Sequence, residues 1–70
     1  MVTLQEVKQY LRIDFEEEDP LLLSLLATAK QQVMSVGRMD EAQLSEHEDA
    51  ARTAILYAVS YLYENRNTAD

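Results

Sequence analysis

The chain has no cysteine and no tryptophan, and it has only one glycine, one proline and one histidine. Without cysteine, disulfides and thiolate metal sites are excluded, and His47 alone cannot build a zinc site. A single glycine and a single proline do not support the many turns of a β-sandwich. The 70 residues are expected to form one domain, residues 1–70, with a marginal core. Small domains of this kind compensate with disulfides, a metal or oligomerisation, so oligomerisation is favoured.

Long apolar runs are also missing. No segment approaches the roughly 20 apolar residues that a membrane span needs. The first residues lack the basic and apolar regions of a secretory signal, so the chain is expected in the cytoplasm. Apolar residues nevertheless make up 47% of the sequence, which is enough for a globular core.

Positive charge is scarce. Thirteen acidic and six basic residues give a net charge of −7, and the basic residues form no cluster. They are Lys8, Arg12, Lys30, Arg38, Arg52 and Arg66. A surface of this kind repels phosphate, so sequence-specific nucleic-acid binding is not expected. Acidity also promotes solubility, so the charge alone does not show whether it serves solubility or a function.

The first helix is predicted over residues 4–12. Thr3 and Glu6 have the spacing of a capping box, in which each side chain binds a free backbone N–H of the first turn. Val2 and Val7 occupy the positions of a hydrophobic staple around it. A helix this short is unstable alone and must dock on other elements.

The second helix is predicted over residues 20–36, with Asp19 as its cap, Pro20 in its first turn and Gly37 just past its end. At 100° per residue, one broad face is apolar and is predicted to be core. It contains Leu21, Leu22, Leu25, Leu26, Ala29, Val33 and Val36. A second apolar stripe would remain exposed in a monomer, and it contains Leu23, Ala27 and Met34.

The third helix is predicted over residues 46–66, after a second capping box formed by Ser45 and Glu48, with a helical turn at Asp40 to Leu44 before it. Its core stripe is Ala51, Ala54, Ile55, Ala58 and Leu62. Both flanks are apolar as well, with Leu56, Val59 and Tyr63 on one and Ala50, Tyr57 and Tyr61 on the other. A helix that is apolar nearly all round is central to its fold or shared with a neighbour. Residues 67–70 are predicted to be a frayed tail.

These patterns predict an all-α fold, a small bundle of about three helices. No catalytic residue, cofactor site or metal site is predicted, and the protein is not expected to be an enzyme. His47 lies among acidic residues as a solvated side chain, and no serine has an activated setting. An EF-hand is excluded because Asp19 stands where the loop needs glycine and Leu25 where it needs glutamate. A helix-turn-helix would present Glu46, Glu48 and Asp49 to phosphates, which electrostatics excludes.

Three stretches together resemble the small head–tail connector (head-completion, DNA-packaging) family of tailed bacteriophages and prophages. The first is Leu11-Arg12-Ile13-Asp14, which leads from a short helix into an acidic loop. The second is the leucine-rich segment from Leu21 to Ala27, and the third runs from Ala54 to Tyr63-Glu64-Asn65-Arg66. The resemblance covers most of residues 3–66. The segment before the last helix is shorter than in many relatives, and little chain follows Arg66.

The resemblance implies a non-enzymatic helical subunit of the virion head–tail interface. It would form a homo-oligomeric ring of about a dozen copies below the portal, extend the DNA channel and dock tail-side completion proteins. Subunits would assemble in the cytoplasm of the host bacterium, with no membrane partner and with DNA only passing through the channel. An acidic lumen would let DNA slide without sticking. The alternative is a small acidic binding module, a regulator or antitoxin-like protein that covers a basic partner.

The candidate interface residues follow from the spare apolar stripes and the last motif. They are Leu23, Ala27, Met34, Leu56, Tyr57, Val59, Tyr61, Tyr63 and Arg66. Arg66 is equally explained as a cation that finishes the last helix. Arg12 and Asp14 are predicted either to pin the first loop against the last helix, by a salt bridge to Glu64, or to line the subunit boundary.

Overall fold

The computed structural model describes residues 2–66, and four helices follow one another along them. They are α1 (Leu4–Leu11), α2 (Asp19–Gly37), α3 (Glu41–Glu46) and α4 (Glu48–Glu64). The described residues contain no strand, and the predicted all-α bundle is confirmed. α2 packs along α4, and α1 lies across both. The predicted frayed tail falls outside the described residues.

The start of α1 is fixed by the predicted capping box. The Glu6 N–H donates to Thr3 Oγ1 over 3.2 Å, and the Thr3 N–H donates to Glu6 Oε1 over 3.1 Å. Val7 is fully buried and Val2 packs against the same core, as a hydrophobic staple requires. This short helix is therefore held by its own first turn and by docking.

The core lies between α1, α2 and α4. Its fully or nearly fully buried members are Val7, Ile13, Leu22, Ala29, Ile55 and Val59. Leu44 of α3 is also buried, and α3 packs against α4. Two residues predicted to be core are exposed: Val36 is 86% accessible, and Ala54 faces solvent. The reason is an open groove between the end of α2 and the first turns of α4.

The end of α2 differs from the prediction. Gly37 is the last helical residue, and Arg38 takes the left-handed conformation with φ 53°. The Arg38 N–H donates to the carbonyls of Met34 and Ser35, as a residue just past a helix does. The methionine that follows folds back over Gly37, so a Cβ there would lie 2.8 Å from Met39 Cε. Glycine is therefore needed at position 37 because a side chain there would collide with Met39, and not because the backbone takes a positive φ.

The predicted start of the third helix is also wrong in detail. The second capping box is formed by Asp40 and Gln43 and opens α3, whereas Ser45 lies inside that helix. α4 begins at Glu48 with no side-chain cap, and His47 forms the junction between α3 and α4. The helical turn predicted at Asp40 to Leu44 is confirmed as α3, and because α3 continues through Ser45, that residue does not cap α4.

Asp19 does not cap α2 as predicted. The helix already begins at Asp19, the residue at the cap position is Glu18, and no side chain there binds a backbone N–H. Instead the Asp19 carboxylate lies 2.9 Å from Lys8 Nζ, so it connects α1 to the start of α2. None of the helices described here is long and apolar enough to cross a membrane.

Candidate assembly surface

Among the described residues, four ion pairs bind the elements of the bundle to one another. They are Lys8–Asp19, Lys30–Glu41, Arg52–Glu6 and Arg66–Glu18. The first and third join α1 to α2 and to α4, and the second joins α2 to α3. Four of the six basic side chains are thereby neutralised within the subunit.

The pair between α1 and α4 perturbs both partners. The hydrogen bond from Arg52, together with the Thr3 N–H, lowers the pKa of the Glu6 carboxyl below its usual 4.5. The same contact with Glu6 raises the pKa of Arg52. Glu6 therefore serves the capping box of α1 and the attachment of α1 to α4 at once.

A second cluster closes the other end of the bundle. The Tyr63 hydroxyl donates to Glu18 Oε1 over 2.5 Å, and Arg66 Nη2 lies 3.6 Å from Glu18 Oε2. The Arg66 guanidinium stacks on the Tyr63 ring, 4.0 Å from its centroid. The hydrogen bond to Glu18 raises the pKa of Tyr63. These contacts fix the loop before α2 to the last turn of α4 and show that the two helices are antiparallel.

The unpaired charges lie at the two ends of the α2–α4 pair. Among residues 2–66, four carboxylates and four cations form ion pairs, which leaves eight carboxylates, Arg12 and Arg38. One end carries Asp14, Glu16, Glu17 and Glu64 with Arg12. The opposite end carries Asp40, Glu46, Glu48 and Asp49 with Arg38. Each end therefore has the same formal charge of about −3, and the sides between them have none.

One side of the molecule contains no charged residue along the middle of α2 and α4. We call it the charge-free face; its exposed members are Ser24, Thr28, Gln32, Ser35, Ala50, Ala54, Tyr57 and Tyr61. The only charges in the middle of these helices, Lys30 and Arg52, point to the other side, where α3 and α1 neutralise them. At 100° per residue, Arg52 and Tyr57 lie on different sides of α4.

An apolar groove runs along the charge-free face. It has a volume of about 630 Å³, and its lining includes Val33, Val36, Met39, Ala54 and Tyr57. Tyr57 is 69% accessible and Tyr61, one turn on, is 61% accessible. The groove is within the size range of about 300–1,000 Å³ that is usual for binding clefts, and it is open to a partner.

A smaller apolar patch lies on another side of α2, which we call the Leu23 patch. It is formed by Val2, Leu23 and Ala27 around a depression of about 220 Å³. Leu23 is 51% accessible and Ala27 is exposed, as predicted from the spare stripe of the second helix. Met34, predicted on the same stripe, is half-buried and does not line the depression.

The predicted stripe on the first flank of the last helix is corrected. Val59 is 1% accessible and belongs to the core, so its side chain cannot contact a partner. Leu56 and Tyr63 are half-buried and pack against the same core. The physical reason is that α1 and the loop before α2 cover this flank, as the contact of Arg52 with Glu6 shows. Arg66 is half-buried in the Tyr63–Glu18 cluster.

Of the two roles predicted for Arg12 and Asp14, the salt bridge to Glu64 is absent from the described residues, whereas a place at the subunit boundary stays a prediction. Within residues 2–66, Arg12 and Asp14 form no ion pair with Glu64, and all three are exposed. Arg12 instead ends α1 in the left-handed conformation with φ 60°, and its N–H donates to the Gln9 carbonyl. Lys8, Glu18 and Asp19 hold the loop in its place.

Sequence reasoning missed Glu18, Asp19 and Lys8 as the residues that fix the loop, and Val36 and Ala54 as surface. The charge-free face was visible in principle, because α2 has no charge between Asp19 and Lys30. Projecting the charges as well as the apolar residues on one helical wheel would have found it. The groove could not be found that way, since it depends on how two helices separate.

Comparison with known proteins gives one informative match. A family model described as phage gp6-like head-tail connector protein matches residues 1–70, the whole chain. Neither the curated proteins nor the solved structures include a significant match. The matched family agrees with the resemblance carried by the three sequence stretches.

Proposed function

This chain belongs to the phage gp6-like head-tail connector family, and on that premise we propose that it is one subunit of a ring below the portal. The family establishes a structural role in the phage virion and interaction with other virion components. The proposed ring extends the DNA channel and presents a docking surface to a tail-side component. The match over the whole chain is the observation that carries this proposal.

The distribution of apolar surface supports assembly. A closed ring is built from heterologous contacts, in which one patch of a subunit meets a different patch of the next. The subunit offers two separate apolar surfaces, the groove on the charge-free face and the Leu23 patch. A chain of this size also gains stability when such surfaces are covered.

The distribution of charge fits passage of DNA without retention. Arg12 and Arg38 are the only unpaired cations in the described part of the chain, and they lie at opposite ends of the bundle. Two separated cations beside eight unpaired carboxylates release few counterions from DNA, so they contribute little affinity. We propose that the acidic ends border the channel and let the duplex slide.

Assembly on a template explains how a small acidic subunit reaches its place. In the proposed order, subunits are made in the bacterial cytoplasm, join the portal and complete the ring there. The resemblance to the connector family implies about a dozen copies, which heterologous contacts would close into a ring. Repulsion between subunits of net charge −7 opposes premature rings in solution.

The proposal is tested with the portal protein from the same phage genome. Native mass spectrometry and electron microscopy would compare the purified chain, the portal, and their mixture. We expect a stoichiometric ring of this chain on one end of the portal. A matched control is the same chain with Val59→Asp, which should unfold it and abolish the ring.

The alternative, an acidic module that covers a basic partner, predicts a different result. Such a module would remain a monomer or dimer in the presence of portal and would form a stoichiometric complex with a basic host protein. That outcome would exclude the ring.

A further inference from the structure

We propose that the charge-free face docks on the Leu23 patch of a second copy of this chain. The inference rests on the proposed function, because it names the two surfaces through which neighbouring subunits of the ring would meet. It goes beyond that function by assigning the sides of the subunit to copies of itself and leaving the acidic ends to other components.

Electrostatics favours a second copy as the occupant of the charge-free face. Two copies each carry −7, so any approach that brings their acidic ends together is repulsive. A partner of opposite charge would instead be drawn to the carboxylates at the ends. The charge-free face is therefore suited to a partner of the same charge, and a second copy is such a partner.

The composition of the charge-free face is that of an interface centre. Interface centres are poor in charged residues and rich in aromatic ones. The charge-free face has no charge and holds two exposed tyrosines, Tyr57 and Tyr61. Exposed Ala50 and Ala54 leave space between the Tyr57 ring and Val36, so an apolar side chain can enter the groove.

The counterpart of the charge-free face lies on a different side of α2. On a helical wheel of 100° per residue, Leu23 and Ala27 lie about 140° and 100° from Thr28 of the charge-free face, so the two surfaces are separate. The Leu23 patch is also electrically neutral, because Lys30 is paired with Glu41 over 2.9 Å. Leu23 projects from it as a large apolar side chain that is 51% accessible. Joining two different patches is what a head-to-tail chain of subunits requires.

The absence of native cysteine permits a direct test by single-cysteine cross-linking. Ala54→Cys and Ala27→Cys variants place one thiol on each surface, and Gln9→Cys places one on an exposed position of α1. Each variant alone and each pairwise mixture would be treated with a short bis-maleimide at about 0.5 M salt, where the repulsion is screened. We expect the Ala54→Cys and Ala27→Cys mixture to give at least about tenfold more dimer than any other combination, as a heterologous contact predicts.

A charge-insertion pair gives an independent readout. Ala54→Glu adds a carboxylate to the charge-free face, whereas Gln9→Glu adds the same charge outside both surfaces. Sedimentation equilibrium should show weaker self-association for Ala54→Glu only. Wild-type self-association should strengthen as salt rises, because salt screens repulsion between like-charged copies.

Three outcomes of these two experiments would overturn the inference. One is cross-linking that occurs mainly between two Ala54→Cys chains. Another is that the Ala54→Cys and Ala27→Cys mixture gives no more dimer at millimolar concentration than mixtures with Gln9→Cys. The third is that Ala54→Glu and Gln9→Glu weaken self-association equally. None of these outcomes would contradict the proposed function, which is tested by ring formation on the portal. A ring that forms normally with Ala54→Glu would show that subunits meet elsewhere.

Discussion

The hydroxyl of Tyr63, in the last turn of α4, donates a hydrogen bond to the carboxylate of Glu18, the residue that precedes α2. These residues are 45 positions apart in the sequence, so the bond closes the bundle at the end where α2 begins and α4 finishes. Arg66 completes the cluster by stacking on the tyrosine ring. A motif predicted to face a neighbour is thus used largely within the subunit.

Tyr63→Phe removes this hydrogen bond and keeps the ring. We expect the free energy of unfolding to fall by about 1 kcal/mol, since a partly buried hydrogen bond to a carboxylate is lost. Urea unfolding followed by circular dichroism would measure the change. Tyr57→Phe is the matched control, because Tyr57 is exposed and no hydrogen bond of its hydroxyl is found among residues 2–66. Equal losses in both variants would contradict the assigned contact.

The Glu6–Arg52 pair predicts a specific response to acid. The pKa of Glu6 is lowered in the folded state, chiefly by Arg52, so the unfolded chain binds the proton first as pH falls. The stability from this pair is therefore fully present above about pH 4.5 and is lost as pH falls through the lower folded pKa. Arg52→Met should lower stability at neutral pH and flatten the decline in acid.

The measurement is urea unfolding at a series of pH values between about 2.5 and 7, the range where carboxyl groups titrate. Arg38→Met is the control, since Arg38 has no ion-pair partner in the described residues. Subtracting the wild-type profile from the profile of each variant separates the contribution of the Glu6–Arg52 pair from the loss of carboxylate repulsion that acid causes throughout the chain. Parallel profiles for Arg52→Met and wild type would exclude the assigned role.

Val59 and Tyr61 test the separation of core from surface on α4. Val59→Ala should lower the free energy of unfolding by about 2 kcal/mol, from lost burial and a residual cavity. Tyr61→Ala should change it by less than about 0.5 kcal/mol, as for other exposed positions. Thermal and urea unfolding of the isolated chain would measure both. A larger loss for Tyr61→Ala would mean that the charge-free face is covered within the subunit.

Arg38 allows a test of backbone strain. Its φ of 53° is unfavourable for a residue with a side chain, so Arg38→Gly should stabilise the chain by up to about 1 kcal/mol. Arg38→Ala removes the same charge but keeps the Cβ, so it should give no such gain. Calorimetric melting of both variants separates the two causes. Equal changes in melting temperature would show that charge, and not conformation, dominates at this helix end.

The sequence allowed the helices and most of the core to be predicted because these depend on local pattern. The Thr3–Glu6 box and the buried positions Leu22, Ala29 and Ile55 follow from spacing alone. Val59 was misplaced because a wheel shows which residues share a side but not which side α1 will cover. The left-handed position fell on Arg38 rather than on Gly37, and the packing of Met39 over Gly37 is a contact between side chain and backbone that spacing does not encode.

The candidate assembly surface could likewise be predicted from the sequence only in part. Leu23, Ala27, Tyr57 and Tyr61 were predicted to be exposed and are exposed. The pairing of Lys8 with Asp19 and of Arg52 with Glu6 depends on the angles at which helices cross, so these neutralised pairs, and the acidic ends that they leave, emerged only from the fold. Their use in contacts between subunits stays a prediction.

Duplex DNA should not bind this chain with measurable salt dependence. Four of its six cations are paired internally, and the remaining two, Arg12 and Arg38, are at opposite ends beside unpaired carboxylates. Fluorescence anisotropy with a short labelled duplex at about 50 mM salt should give no binding tighter than about 10⁻⁴ M. The triple variant Glu46→Lys, Glu48→Lys and Asp49→Lys reverses the charge of one end and should create salt-sensitive binding. The slope of affinity against salt counts the cations that contact phosphates. A wild-type affinity that falls steeply with salt would therefore show that the chain binds DNA through such contacts. That result would contradict the sliding role.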